Sequence, residues 1–232
     1  ERFIYLSSLG FCLCLSVLLA KLLKVSTENG FNYNIKWLLP LLLIVSSASY
    51  ATVVRNRVWK NNLTLYETDV KTASNSARTH MYYGVILINR YGKQPKSDML
   101  NTAIYELRKA VEINPKFYHA WYNLGVGYQQ KSDHDAAITC FNKVLEMQPL
   151  HIKSHYCLGI SYGKGKGELD KAIYYLEKAM SFNYKRPECY DNLGIAYAMK
   201  GEYDRAITVF KEGIQKYPEN AKLYMNLGIT YS

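Results

Sequence analysis

A block of residues returns at a nearly fixed distance through the last two-thirds of this chain. Trp121, Tyr122, Asn123, Leu124 and Gly125, followed by Tyr128, Ala137, Phe141 and Pro149, reappear as Tyr190, Asp191, Asn192, Leu193 and Gly194, followed by Tyr197, Ala206, Phe210 and Pro218. A broken copy lies between them: His155, Tyr156, Cys157, Leu158 and Gly159, then Tyr162, Ala172, Leu176 and Ala179. The glycines Gly125, Gly159, Gly194 and Gly228 stand 34, 35 and 34 residues apart. Self-similarity at such a period restricts the chain to an architecture in which each unit buries its apolar face against its neighbours.

The period and the W-x2-L-G-x2-Y…A-x3-F…P pattern resemble the tetratricopeptide repeat, a helix–turn–helix unit that stacks into a solenoid. The expected fold is all-α, with two transmembrane helices followed by a tetratricopeptide-repeat α-solenoid. A degenerate copy opens with His80, Met81, Tyr82, Tyr83 and Gly84 and closes with Ala103, Leu107, Ala110 and Pro115, a longer loop at 92–97 separating its helices. The array is expected over 77–232: degenerate at 77–117, then 118–151, 152–186 and 187–220, and truncated at 221–232. The repeated Gly and Ala let paired helices approach, and Trp121, Tyr128 and Phe141 fill the space between. These are packing positions, and Gly125→Leu should overpack at a cost of about 1–3 kcal/mol.

Two apolar stretches precede the array. Positions 3–20 hold no charged residue and are followed by Lys21 and Lys24; 37–54 are also uncharged and lie between Lys36 and Arg55. Eighteen residues meet the lower limit for crossing a hydrocarbon core about 30 Å thick. Pro40 sits in the first turn of the second stretch, where its missing N–H costs nothing, and Tyr33 and Trp37 suit an interface. A signal peptide is disfavoured because the first stretch lacks a basic leader and is too long. A pair of soluble core helices lacks another apolar partner before residue 76. The reading is a two-span membrane segment at 1–54 in contact with the lipid bilayer through 3–20 and 37–54. A helix at about 58–73, patterned by Trp59, Leu63, Tyr66 and Val70, then caps the solenoid within a 55–76 junction. Lys21, Lys24 and Lys36 balance Arg55, Arg57 and Lys60, so the positive-inside rule does not orient the pair.

The formal charge of +10 is spread as +4 over 1–76 and +6 over 77–232, with no run of five like charges, which argues against a nucleic-acid tail. Five cysteines form no C-x2-C pair, so a zinc site is not expected, and Cys140, Cys157 and Cys189 read as buried thiols. The Gly163-Lys164-Gly165-Lys166-Gly167 segment lacks phosphate-loop spacing and falls where an inter-helix turn belongs. His151 and His155 are four apart, but His155 occupies its repeat's Trp position, which disfavours a metal. Asn62-Leu63-Thr64 is a formal glycosylation sequon. Neither catalytic residues nor a cofactor or metal site are expected in this segment, which reads as a fragment of a longer protein.

The binding surface is expected where the first helices of successive repeats line a concave face. The candidate peptide-binding residues are His119, Tyr122, Asn123, Gln129, Lys153, Tyr156, Asp191, Asn192, Met199 and Asn226. Asn123, Asn192 and Asn226 share one repeat position, with Cys157 interrupting the series. An amide ladder could hydrogen-bond an extended peptide backbone, resembling the ladder of O-linked N-acetylglucosamine transferase; the competing reading is that Asn-Leu-Gly simply recurs for packing. The expected partner is a protein or peptide in this groove.

Residues 1–11, Glu-Arg-Phe-Ile-Tyr-Leu-Ser-Ser-Leu-Gly-Phe, resemble the E-R-x2-Y-[LI]-[PS]-S-x-G-F segment of the transmembrane and tetratricopeptide-repeat-containing proteins and their bacterial relatives. Arg55 and Trp59 are similar to that family's junction before its repeats. The resemblance implies the C-terminal part of a multi-pass GT-C type glycosyltransferase, using a lipid-linked sugar on protein hydroxyls, its repeats in the periplasm or lumen. The family's acidic catalytic residues lie in an early loop with no counterpart here. The alternative is a membrane-tethered scaffold that assembles partner proteins without enzymatic activity.

Overall fold

The computed structural model describes Ser46, Ser47, Tyr50 and residues 61–232. The chain divides into two compact units, Glu1–Trp59 and Lys60–Ser232, and the helices that follow belong to the second. The expected spans at 3–20 and 37–54 lie outside the described residues apart from Ser46, Ser47 and Tyr50. Among the described residues, no helix is long and apolar enough to cross a membrane.

Ten α-helices run in order among the described residues of the second unit: α1 Asn62–Thr72, α2 Ala77–Tyr91, α3 Ser97–Ile113, α4 Tyr118–Gln130, α5 His134–Met147, α6 Ile152–Ile160, α7 Leu169–Ser181, α8 Pro187–Met199, α9 Tyr203–Lys216 and α10 Ala221–Tyr231. Local chemistry starts several of them. Asn61, Ser76, Asp133 and Asn220 each accept a hydrogen bond from the backbone N–H three residues on, satisfying a donor that helix geometry leaves orphaned. Pro187 at the start of α8 uses the one helical turn that tolerates a missing N–H.

Helices pair as α2 with α3, α4 with α5, α6 with α7 and α8 with α9. The repeated glycines explain the closeness. A Cβ on Gly125 would lie 2.6 Å from the Phe141 ring, and one on Gly194 would lie 2.5 Å from that of Phe210. Phe141, Phe210, Leu107 and Leu176 are essentially fully buried as a result. α1 packs on α2, placing the Tyr66 and Tyr82 rings 5.5 Å apart and Leu63 against the core. It covers an edge of the array and is shorter than the 58–73 helix expected, since Asn61 is an extended N-cap that starts the helix at Asn62.

The degenerate positions follow a chemical rule. Trp121 donates its ring N–H to the carbonyl of Pro115, six residues earlier, at 2.8 Å. His155 makes the same bond to Pro149 at 2.9 Å, and His80 to Ser74 at 2.9 Å. Histidine thus replaces tryptophan where a ring N–H is needed to tie a first helix to the preceding loop.

The extra residue of the 35-residue interval can be located. The turns between the two helices of successive repeats carry left-handed residues at Ser132, Gly167 and Gly201, 35 and then 34 apart. Since Gly125 and Gly159 are 34 apart, the insertion falls between Gly159 and Gly167. There α6 continues as a π-helical segment, Ser161–Lys166, whose wider turn absorbs it. Gly165 presses on the His134 ring, and Lys166 reaches Asp135 at 2.7 Å. The glycine–lysine run is an inter-helix turn, as its position implied. Cys140, Cys157 and Cys189 are free and buried, and burial pushes each thiol up to about 12.

Candidate functional site: the face of the first helices

Successive first helices are joined by polar ties. From α4, the Gln129 side-chain amide donates to the Cys157 carbonyl at 2.8 Å and to the Ser161 hydroxyl at 2.7 Å. From α8, Asn192 donates to the Tyr156 hydroxyl of α6 at 3.0 Å. From α10, Asn226 donates to the Asp191 carboxylate of α8, whose other oxygen lies 2.5 Å from Lys222 Nζ. Cross-strap bonds of this kind align α4, α6, α8 and α10 along one side.

A cavity of about 540 Å³ opens between α4 and the start of α6, lined by His119, Tyr122, Asn123, Leu150, His151, Ile152 and Lys153. Its rings are close: Tyr118 and His119 lie 4.0 Å apart, and His151 lies 5.2 Å from Tyr122. Burial raises the Tyr122 phenol well above its usual range, with Cys157 adding to the effect. The hydroxyl therefore stays protonated. Lys153 is exposed and has no acidic partner among the described residues. The chemistry on offer is a set of donors, aromatic faces and one ammonium.

His151 is also the N-cap of α6, its Nδ1 accepting from the Ser154 N–H at 3.2 Å. Its pKa is lowered, first by burial and then by the charges of His119, Lys153 and His155. A folded ring that resists protonation makes the unfolded state the better proton binder below the ordinary value of 6.5. Stability contributed here is complete above about pH 6.5 and declines as pH falls from there toward the folded ring's lower value. His151→Asn keeps a capping oxygen and removes the titration. Its Tm should therefore fall less than the parent's between about pH 7.5 and 5.5; parallel curves would assign the acid sensitivity to other groups.

A second cavity, of about 220 Å³, lies where α6, its π turn, α7 and α8 meet. Asn192 and Met199 line it together with Gly159, Leu176, Ile195 and Ala196.

The ten expected residues are thus distributed. His119, Tyr122, Asn123 and Lys153 share the first cavity, and Asn192 and Met199 share the second. Gln129 and Tyr156 are engaged in the ties between helices. Asp191 is only 3% exposed and, with Asn226, forms a closed group under Lys222. The amides of the asparagine series are already engaged. Asn123 donates to the His119 carbonyl at 2.7 Å and Asn192 to that of Glu188 at 2.7 Å, each four residues back on its own helix. Sequence reasoning missed Leu150 and His151 in the loop between repeats, Ile152 at the start of α6, and Gly163 in the π turn of the second cavity, whose Lys164 it had placed on the concave face. The 35-residue interval was the available signal for the π turn.

The described helices form an all-α solenoid of paired helices with the period of the tetratricopeptide repeat. Tetratricopeptide-repeat family profiles match residues 118–150 and 187–220. Over 125 residues the chain is 30% identical to Protein O-mannosyl-transferase TMTC1 of Homo sapiens, a match covering 54% of this chain and 13% of that protein. Tetratricopeptide repeat-containing protein trd-1 of Caenorhabditis elegans is 24% identical over 117 residues, 50% of this chain and 14% of its own length. The chain therefore spans a small part of the curated relatives it matches. Among solved structures, MamA superposes with a TM-score of 0.58 at 29% identity, covering 68% of this chain and 87% of that one. YrrB, described as a tetratricopeptide-repeat protein with an unusual peptide-binding site, superposes with a TM-score of 0.58 at 23% identity, covering 72% and 81%.

Proposed function

We propose that the array binds an extended polypeptide along the face of its first helices, anchored at the cavity of His119, Tyr122, Asn123 and Lys153. The carrying observation is that an ammonium with no acidic partner among the described residues, a buried phenol and an imidazole packed on a tyrosine ring converge on one open cavity of about 540 Å³. The residues projected there have few other duties, since His119 and Lys153 are exposed and make no ion pair among the described residues. Peptides selected from a displayed random library on the detergent-solubilised full chain should lose at least tenfold in affinity with His119→Glu plus Lys153→Glu. Stability should stay within about 0.5 kcal/mol, as for surface changes. Equal binding by that variant would put the peptide elsewhere.

The parent protein, on the same proposal, is a multi-pass, lipid-linked-sugar-dependent protein glycosyltransferase, and these repeats present the acceptor polypeptide to its membrane-embedded site. The identity with Protein O-mannosyl-transferase TMTC1 supports this reading, as do the two 18-residue uncharged stretches before the array. The repeats then lie in the periplasm or lumen. Protease added from the cytoplasmic side of intact membranes should leave the last repeat protected. Digestion there would favour a membrane-tethered scaffold without sugar chemistry.

A further inference from the structure

The second cavity exists where one residue has been inserted. The π segment places Gly163 and Lys164 on its wall beside Ile160, opposite Leu176, Ile195 and Ala196. Single-turn π segments recur at functional sites because they redirect a few side chains without ending the helix. The wall is apolar, and its one uncharged polar side chain is not available to a visitor. Both N–H groups of Asn192 are spent on Glu188 and Tyr156, and its oxygen is shut away from solvent without a donor. A polar group entering would leave water for a wall that is mainly apolar, which is costly. The space is larger than the roughly 150 Å³ apolar cavities that admit benzene, so a leucine, isoleucine or methionine side chain fits.

The rim adds a charge. Of the turn's two lysines, Lys166 is held by Asp135 at 2.7 Å, whereas Lys164 is exposed and has no acidic partner among the described residues. Met199, 65% exposed, stands at the other lip as an adaptable apolar contact. A carboxylate beside the entering side chain would meet Lys164, a contact that steers association and weakens with salt.

We infer that this cavity is a specificity pocket for an aliphatic side chain of the bound polypeptide, with an acidic residue next to it in the partner's sequence seated on Lys164. The inference rests on the peptide-binding reading above and assigns it a second anchor. Random octapeptides displayed against the detergent-solubilised full chain should enrich for leucine, isoleucine or methionine adjacent to aspartate or glutamate. Ile160→Phe, which narrows the cavity from a half-buried position, should weaken those peptides at least tenfold. Lys164→Glu, an exposed change whose folding circular dichroism can verify, should exchange the acidic preference for a basic one. Should Ile160→Phe misfold, the charge reversal decides alone. Enriched peptides that ignore both changes yet respond to His119→Glu plus Lys153→Glu overturn the pocket and leave the groove. No enrichment at all overturns both.

Discussion

His80→Ala should destabilise the first repeat by about 1–3 kcal/mol, the cost of leaving a buried polar group without its hydrogen-bond partner. His80 Nδ1 faces the Glu106 carboxylate at 2.6 Å and Nε2 faces the Ser74 carbonyl at 2.9 Å. The ring thus bridges α3 and the loop before α2 through both of its nitrogens. Histidine and carboxylate side chains are 8% and 11% exposed, so water cannot take over when one is removed. Because each repeat contacts mainly its neighbours, the loss should be local. Hydrogen exchange should accelerate in α1, α2 and α3 while α8 and α9 keep their protection. Replacing both residues by leucine should recover much of the loss, since a buried pair often gives way to apolar groups at little net cost. A single-variant loss below about 1 kcal/mol would mean that Glu106 finds another partner.

The second large effect concerns the α8–α9 pair. Phe210→Ala should cost about 3–5 kcal/mol, because the ring is wholly buried between α8 and α9 and its removal leaves a cavity. Gly194→Ala should cost about 1–3 kcal/mol by overpacking, its new Cβ falling 2.5 Å from the same ring. The two residues share one space, so the double variant should be less destabilised than the two losses added, by about 0.5–3 kcal/mol. Urea unfolding of the three variants measures this directly. Simple additivity would show that the backbone shifts to relieve the contact.

Packing positions were readable from residue order because they are set by short-range geometry that repeats every 34 or 35 residues. Gly125 facing Phe141 and Gly194 facing Phe210 follow from the pattern alone. The capping helix was visible through Leu63 and Tyr66 for a similar reason. Other features depend on which way a side chain turns. Asn123 could equally serve a ligand or its own helix, and its amide takes the His119 carbonyl. Asp191 held a position that lines the groove in simpler copies, yet Lys222 and Asn226, 31 and 35 residues away, draw it inside. His80 and His155 looked like decay of a tryptophan; what survives is a ring N–H aimed at a carbonyl six residues back. The inserted residue was countable in advance, but its absorption by a π segment, and the cavity beside it, required the backbone path.

The bonds that strap Gln129 to Cys157 and Ser161, Asn192 to Tyr156, and Asn226 to Asp191 act across successive first helices rather than within them. A stack held only by greasy contacts flexes like a spring, since apolar surfaces slide over one another at small cost. Directional bonds lose strength steeply with misalignment, so each strap resists a change in pitch. The two cavities therefore sit like marks on a ruler. On the proposed function, a polypeptide whose anchoring residues are spaced for those marks would be accepted, and one with the right anchors at the wrong interval refused.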